Sequence, residues 1–399
     1  MSKPSLPNLR HLNIALHIGA NYGFSAASKA VNLSPSAITQ AMRGLENQLG
    51  VEIFDRSPNG AQPNEMGRVY LDRIALAFEA LSRAEAALDA DRKTAAIKAR
   101  LSVSQLRAFV MVCQSGSYSL AARRLGLSQP SVYKAARSVE TTFNRRLFQP
   151  SSFGVDPSVK AKEFARHVSL ALSEIERAHE EVQELRGKME GRLAIGTLPL
   201  IRTSVLPKAV TALLSDFPQV RVQIIDGIYG DLLDSLRHGD LDVICGALRN
   251  PLPSRDVEQT SLFKDRLSIL VRNGHPILQQ SAPSIDQLAS LDWIVPRHGT
   301  PTRSYFEQLF QTNETGRVPR IIECSSLVAI RAMLMTSERA TILSSHQAGY
   351  EIEKGDIAIV NAELQGSNRP IGVTTRLNWR PTGVQREFLK RLKQETLRL

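Results

Sequence analysis

The stretch Gly23-Phe-Ser-Ala-Ala-Ser-Lys-Ala-Val-Asn-Leu-Ser-Pro-Ser36 returns 94 residues later as Ser117-Tyr-Ser-Leu-Ala-Ala-Arg-Arg-Leu-Gly-Leu-Ser-Gln-Pro130. The register holds without a gap. Arg43 falls on Arg137, Glu46 on Glu140, Phe54 on Phe148, Gly60 on Gly154 and Pro63 on Pro157. In each copy an apolar helical segment is broken by a residue that tolerates a left-handed backbone, Asn32 or Gly126. Ser34 and Ser128 then stand where an N-cap hydroxyl satisfies the first free amides of the next helix, with Pro35 and Pro130 at its start. Leu9, Leu12, Leu16 and Ile18 supply the apolar face of a preceding helix. Helix, tight turn, helix is therefore predicted twice, with second helices over about 25–31 in the first copy and third helices over about 36–49 and 130–143.

A helix that reads DNA offers the polar side chains of its first turns to base edges. Ser34, Ser36, Thr39, Gln40 and Arg43 fill those places in the first copy. Ser128, Gln129, Pro130, Ser131, Tyr133, Lys134 and Arg137 fill them in the second. A hairpin wing is expected over 51–60 and 145–154, and its basic residues, Arg56 among them, would hold phosphates and set register.

These residues resemble the winged helix-turn-helix of LysR-type transcriptional regulators, twice over. The family pattern runs Ala-Ala, Leu, Ser-Gln-Pro, a polar helix ending in Leu-Glu, then Leu-Gly and a Leu-Phe-x-Arg wing. The second copy keeps Ala121-Ala122, Leu125, Ser128-Gln-Pro130 and Glu140, but has Phe143-Asn144 and Pro150 in place of the Leu-Gly and the wing arginine. The first keeps Leu49-Gly50, Ile53-Phe54 and Arg56, with Ser34-Pro-Ser36 for Ser-Gln-Pro. Residues 101–150 carry seven Lys and Arg against one Glu, whereas 5–63 carry four against three acids. Phosphate attraction is thus expected mostly from the second head. The plainer alternative makes one copy, the first on charge, a relic that only packs or dimerises.

After each head comes a heptad seam: Tyr70, Ile74, Ala77, Leu81, Ala84 and Leu88, then Phe164, Val168, Ala171, Ile175, Ala178, Val182 and Leu185. Such seams pack helix on helix, and the first spans roughly 27 Å at 1.5 Å per residue. The resemblance implies antiparallel pairing with a second subunit. With two seams in one chain, the pairing is expected within the chain, helix 66–90 against helix 160–187, as a pseudo-dimer.

From Gly191 the pattern becomes strand–helix alternation, which implies an α/β domain with a parallel sheet. Strands are expected over 192–196, 220–226, 241–246, 267–271, 293–296, 320–323 and 341–344, with helices over 203–216, 230–238 and 383–396. This half also resembles the LysR-type effector domain, through Leu206-Pro, Phe217-Pro-x-Val-x-Val, Gly239-Asp-Leu-Asp242 and Gly274-His-Pro276. The family's Gly-Leu-Gly-Ile is replaced by Glu338-Arg-Ala-Thr-Ile-Leu-Ser-Ser345. The implied fold is a two-lobed effector domain like a periplasmic binding protein, behind an all-α front part. The boundaries expected are a first winged head 5–63, first linker 64–97, second head 101–157, second linker 158–188 and effector domain 191–399. Lobe I takes 191–264 and 346–399, and lobe II takes 265–345.

Ligands of open α/β sheets gather beyond the carboxyl ends of strands. That rule selects 197–202, 227–229, 247–249, 297–303 and 325–326. From these segments Thr197, Leu198, Leu200, Arg202, Tyr229, Ala247, Arg297, Thr300, Thr302, Arg303 and Ser325 are the candidate effector contacts. Arg202, Arg297 and Arg303 suit a carboxylate or phosphate, unless they are ordinary surface arginines.

No His/Cys/Asp cluster at metal spacing, Gly-rich phosphate loop or nucleophile elbow is present in the sequence, so no catalytic residue, metal or cofactor is expected. Residues 1–188 hold 25 basic against 17 acidic side chains, and residues 189–399 hold 25 against 22. That asymmetry places a polyanion partner at the front. No apolar run reaches the length of a membrane span, and no secretory leader is legible. The three cysteines suit a reducing cytoplasm; Cys245–Cys324 as a redox pair is the sharper reading and buried free thiols the plainer one. The expectation is a cytoplasmic, effector-switched, sequence-specific regulator. Its partners would be double-stranded DNA, a small effector, a second copy met through the effector domain, and RNA polymerase. The competing readings are a weakly specific architectural DNA-binding protein and a cleft enzyme of the same α/β fold.

Overall fold

The computed structural model describes residues 6–21, 23–57, 60–88, 96–311 and 319–398. Helices α1 (Leu9–Asn21), α2 (Phe24–Val31) and α3 (Pro35–Leu49) lead into a hairpin, β1 (Phe54–Ser57) and β2 (Gly60–Pro63), and then the long α4 (Glu65–Ala87). After the short α5 (Ala96–Arg100) the order returns as α6 (Val103–Ser115), α7 (Tyr118–Leu125), α8 (Gln129–Phe143), β3 (Phe148–Ser151), β4 (Gly154–Pro157) and α9 (Val159–Leu185). Each element of the second set starts 94 residues after its counterpart, and only α9 ends later than that offset requires.

The turns form for the expected reasons. Asn32 (φ 55°) and Gly126 (φ 67°) adopt the left-handed conformation that lets one helix stop and the next start at once. Ser34 Oγ accepts from the amide of Ala37, and Ser128 Oγ from that of Ser131, both at 3.3 Å. Ser128→Ala is accordingly expected to cost about 1 kcal/mol, measured as a shifted urea midpoint at unchanged slope.

Helices α4 and α9 lie antiparallel against each other within the one chain. The whole predicted seam up to Val182 is buried on both helices. Leu185, its last position, is exposed instead, at the end of α9 that reaches the start of α4. Arg73, on the first half of α4, is fully buried and donates to both oxygens of Glu181 (3.0 and 2.7 Å) and to Glu174 (2.8 Å), towards the end of α9. Residues 89–95 of the expected first linker lie outside the described residues.

The α9 helix is also bolted to the back half of the chain. Arg177 donates to Glu174 and to Asp242, each at 2.7 Å, and the other Asp242 oxygen accepts from the Ala194 amide. Arg376, likewise buried, donates to the carbonyls of Leu236 and Leu241. Burial and the neighbouring Arg177 push its guanidinium down to about 10. The extra turn of α9 carries Glu184, which accepts from the amides of Gly383 and Val384. One turn earlier sits Glu180, whose carboxyl burial raises to about 7 against the pull of Arg177 and a hydrogen bond from the Arg192 amide. A carboxyl raised on folding costs stability wherever the unfolded chain ionises more readily than the folded one, so the penalty is absent below about pH 4.5, grows between about pH 4.5 and 7, and is constant above that. Glu180→Gln should therefore be neutral near pH 4.5 and stabilise by about 2 kcal/mol at pH 8, allowing for the side chain's partial exposure; thermal melts at the two pH values check it.

The back half holds β5 (Arg192–Thr197), α10 (Val205–Asp216), β6 (Arg221–Asp226), α11 (Tyr229–His238), β7 (Val243–Ala247) and the long β8 (Val257–Arg272). Then come α12 (Ile285–Ala289), β9 (Asp292–Val295), α13 (Pro301–Gln311), β10 (Arg320–Glu323), α14 (Leu327–Met335), β11 (Arg339–Ser344), α15 (Gly349–Lys354), β12 (Ile357–Ile359), β13 (Asn368–Arg376) and α16 (Gly383–Thr396). The strands run in the order β10-β9-β11-β8-β13-β7-β5-β6, with β12 also on β8. One half of β8 serves each lobe. In lobe I, β5 pairs in parallel with β6 and β7. Apolar side chains fill both faces, under α10 and α16 on one side and under α11 on the other. In lobe II, β9 pairs in parallel with β10 and β11, and Trp293 packs edge-on against Phe306 and Phe310.

Three expectations need correction. The sheet is mixed, because β8 and β13 run antiparallel to each other and to their neighbours. The strand expected at 267–271 is only the second half of β8. Lobe II also does not end at residue 345. β12 pairs with residues 270–272, and Val360 and Leu364 sit in the lobe II core, so the chain returns to lobe I only near β13. The close β8–β13 approach is why Gly372 carries no side chain, since a Cβ there would lie 2.0 Å from the Thr260 carbonyl oxygen.

Candidate nucleic-acid interface and cleft

On the second head, α8 exposes Gln129, Pro130, Ser131, Tyr133, Lys134 and Arg137 along one face. Ser119 Oγ donates to the side-chain carbonyl of Gln129 (2.8 Å), and the Tyr133 ring meets Tyr118 edge-on, so both are held in place before any partner arrives. Arg123 and Arg124 at the end of α7, and Arg145 and Arg146 ahead of the hairpin, are exposed cations flanking that face. On the first head Ser34, Ser36, Gln40 and Arg43 are exposed, whereas Thr39 is half-buried and spends its hydroxyl on the Pro35 carbonyl (2.9 Å). Lys29 is the corresponding cation at the end of α2. The electrostatic inequality of the two heads is thus visible on their surfaces.

The Glu of the Leu-Glu pattern is a structural residue. Buried Glu46 accepts from the Ile53 amide and pairs with Arg56 at 2.5 Å. Buried Glu140 accepts from the amides of Leu147 and Phe148 and pairs with Arg137 at 2.7 Å. The second head has Pro150 where the first has its wing arginine, and Arg137 takes over the carboxylate. Arg56 and Arg137, both expected as DNA contacts, are therefore already engaged in bracing their own wings, while Arg43, the counterpart of Arg137, is not held by Glu46.

Between the lobes, the expected arginines divide. Arg303 is buried against Glu307 (2.7 Å), Glu323 (3.4 Å), His298 and the Pro296 carbonyl, which makes it part of the scaffold. Thr300 accepts from the Arg303 amide as a cap for α13, and Arg202 pairs with Asp226 at 2.9 Å. Arg297 is half-buried and makes no ion pair among the described residues. Thr197, Leu198 and Leu200 are buried, with Leu198 so close beneath Gly246 that a Cβ there would lie 2.5 Å from it. Ser325 is exposed, and Ala247 and Tyr229 are half-buried.

Two cations stand out in their place. Arg249 lies 4.4 Å over the Tyr229 ring without a carboxylate partner among the described residues, and burial, with a smaller push from Arg369, lowers its pKa. Arg369, at the start of β13, donates to buried Asp265 (2.9 Å) and to Thr302 (2.7 Å); Asp265 also accepts from Ser344 (2.6 Å). Gln259 completes the group through the Tyr229 hydroxyl (3.4 Å). Arg249 falls within an expected segment, but Arg369, Asp265 and Gln259 do not, because they lie on β8 and β13, whose pairing no local pattern announces. Cys245 and Cys324 are free thiols, one on β7 of lobe I and one beside β10 of lobe II.

The family model for the "LysR substrate binding domain" matches residues 186–397. The model "Bacterial regulatory helix-turn-helix protein, lysR family" matches residues 9–68 and again residues 103–162. The chain belongs to the LysR family. Among its relatives, the HTH-type transcriptional regulator GalR of Pseudomonas putida is 28% identical over 93% of both chains. The regulator PcaQ of Agrobacterium fabrum is 28% identical over 71% of this chain and 91% of its own. Among solved structures, a full-length OxyR variant from Pseudomonas aeruginosa shares the fold at TM-score 0.55 and 21% identity, covering 74% of this chain and 94% of its own. CbnR, a LysR family transcriptional regulator, does so at TM-score 0.50 and 20% identity, covering 74% and 99%. This LysR-family chain is an effector-modulated, sequence-specific DNA-binding transcriptional regulator and not an enzyme. Among the described residues no helix is long and apolar enough to cross a membrane, and no group of His, Cys, Asp and Glu is placed to hold a metal.

Proposed function

We propose that each chain of this regulator carries a duplicated winged helix-turn-helix, so that one chain is a complete pair of DNA-reading heads. The pairing of α4 with α9 inside the chain carries this reading: it joins the two heads through a seam that a single-headed subunit would offer to a partner. Ser34, Ser36, Gln40 and Arg43 read for the first head, with Thr39 in support. Gln129, Ser131, Tyr133 and Lys134 read for the second, Ser128 and Pro130 setting the helix start. Because the second head is much the more cationic, it supplies most of the salt-sensitive grip, and the operator is an imperfect rather than an exact repeat.

The effector is a small organic anion, taken up by Arg249 and Arg369 with Thr302, Tyr229 and Arg297 around it. A ligand that bridges the lobes moves lobe II relative to lobe I. Since Arg177, Glu184 and Asp242 tie α9 to lobe I, the heads follow lobe I. The chain works in the cytoplasm, a second copy joins through the effector domain, and RNA polymerase is the partner at the promoter. Two chains would then supply four heads.

Selection of genomic fragments by the full-length protein at roughly physiological salt tests the proposal. A discrete set of sites sharing an imperfect inverted repeat is expected. Uniform recovery of all fragments would turn the reading towards an architectural binder.

A further inference from the structure

The most exposed large apolar side chain among the described residues is Phe153, with 98% of its surface open. It sits in the two-residue loop, Ser152-Phe153, that joins β3 to β4 at the tip of the second wing. Leaving so large a ring in water forgoes the burial that usually keeps phenylalanine inside, and nothing described in the chain covers it.

The hairpin beneath the ring is held firmly. Glu140 grips the amides at the base of β3, and the Phe148 ring packs on Phe109 and Tyr118. The Val155 amide donates to the Gly116 carbonyl at 2.8 Å. Gly154 comes so close to that carbonyl that a Cβ would lie 2.2 Å from its oxygen, so the tip is pinned to the start of α7 and cannot fold back without breaking these contacts. A rigid mount under an exposed ring is a pre-organised contact, with little ordering left to be done on binding.

The charge around the ring indicates what it meets. Arg145 and Arg146 precede the hairpin, and Arg123, Arg124 and Lys134 lie on the reading side of the same head; Asp156 is the hairpin's one acid. A polyanion drawn to that face, with α8 in its major groove, places the neighbouring hairpin at the adjacent minor groove. Apolar wedges inserted there unstack a base step and kink the duplex. We propose that Phe153 is such a wedge, inserted into the minor groove beside the site read by α8. By sequence, the 94-residue offset aligns Phe153 with Asn59, which lies outside the described residues, so the first copy has no aromatic ring at that position. The kink would then be one-sided, fixing the orientation of the chain on its operator. The wedge rests on the DNA-reading role proposed above.

The test uses the full-length protein on a site recovered by genomic selection, with 2-aminopurine at successive steps beneath the second wing. Unaltered protein is expected to unstack one step and bend the DNA. Phe153→Ala should bind about tenfold more weakly, lose the unstacking signal and reduce the bend, at an unchanged slope of log affinity against log salt, since no phosphate contact is removed. Phe153→Leu, which keeps an apolar wedge, should retain most of the bend. Equal affinity and equal bend in Phe153→Ala would overturn the inference while leaving the DNA-reading role intact. A changed oligomeric state with an unchanged bend would overturn it in favour of a protein contact. Failure of the unaltered protein to select any site would instead overturn the reading on which the wedge rests, and the wedge with it.

Discussion

Arg73→Ala is expected to cost about 3–5 kcal/mol of folding stability, the usual penalty for breaking a buried ion pair by removing one partner. The guanidinium is fully buried and is shared by Glu174 and Glu181, so its loss leaves two carboxylates without their cation between packed helices. Arg177 can still answer Glu174, but Glu181 has no such second cation among the described residues. The physical test of the mechanism is the compensating pair: Arg73→Met with Glu181→Leu removes both charges and should recover most of the loss. Urea unfolding followed by circular dichroism reads the effect. A cost below about 1 kcal/mol would mean that the seam is not dry at this point.

Arg249→Met is expected to weaken an anionic effector about hundredfold, corresponding to the loss of one charge-assisted hydrogen-bonded contact of up to about 3 kcal/mol. Arg249 is held over Tyr229 with no carboxylate among the described residues to satisfy it, which leaves its charge ready for a ligand. A panel of mono- and dicarboxylic acids screened by thermal shift identifies the acid that stabilises the unaltered chain. The variant should lose that stabilisation while binding DNA in the absence of the acid as before. An acid that stabilises Arg249→Met equally would place the anion elsewhere. Arg303→Met makes the contrasting variant, since its four partners mark it as scaffold, and it should lower stability before it alters ligand preference.

The parts of the fold legible in the sequence are those whose signals are local. The turn at Asn32 and Gly126, the caps at Ser34 and Ser128, and the 94-residue register depend on neighbours within a few positions, and they fall where expected. The heptad seams are equally legible, since period alone marks a face and two seams in one chain point to each other; in the structure the two faces meet within the chain. The long-range parts are not legible. β8 reads as a short strand because its first half is only partly buried, with Val257 and Asp265 as its sealed positions. Without β8 in full, neither β13 nor Arg369 can be placed, and the lobe boundary slips. Arginines mislead in a consistent way: Arg56, Arg137, Arg202 and Arg303 look free for ligands in the sequence, yet each meets a carboxylate supplied by a residue that sequence proximity does not always reveal.

The pairing of α4 with α9 inside one chain is the central claim, and it can be tested directly with isotopes. Equal amounts of ordinary and nitrogen-15-labelled full-length protein are refolded together, joined with a zero-length carboxylate–amine cross-linker, and digested. Mass spectrometry then reads the linkages between residues 65–87 and 159–185. Only pure ordinary and pure labelled pairs are expected at this seam, whatever the chain does through its effector domain. Mixed-isotope pairs making up about half of the linkages would show that the seam forms between chains and would contradict the claim that one chain holds both reading heads.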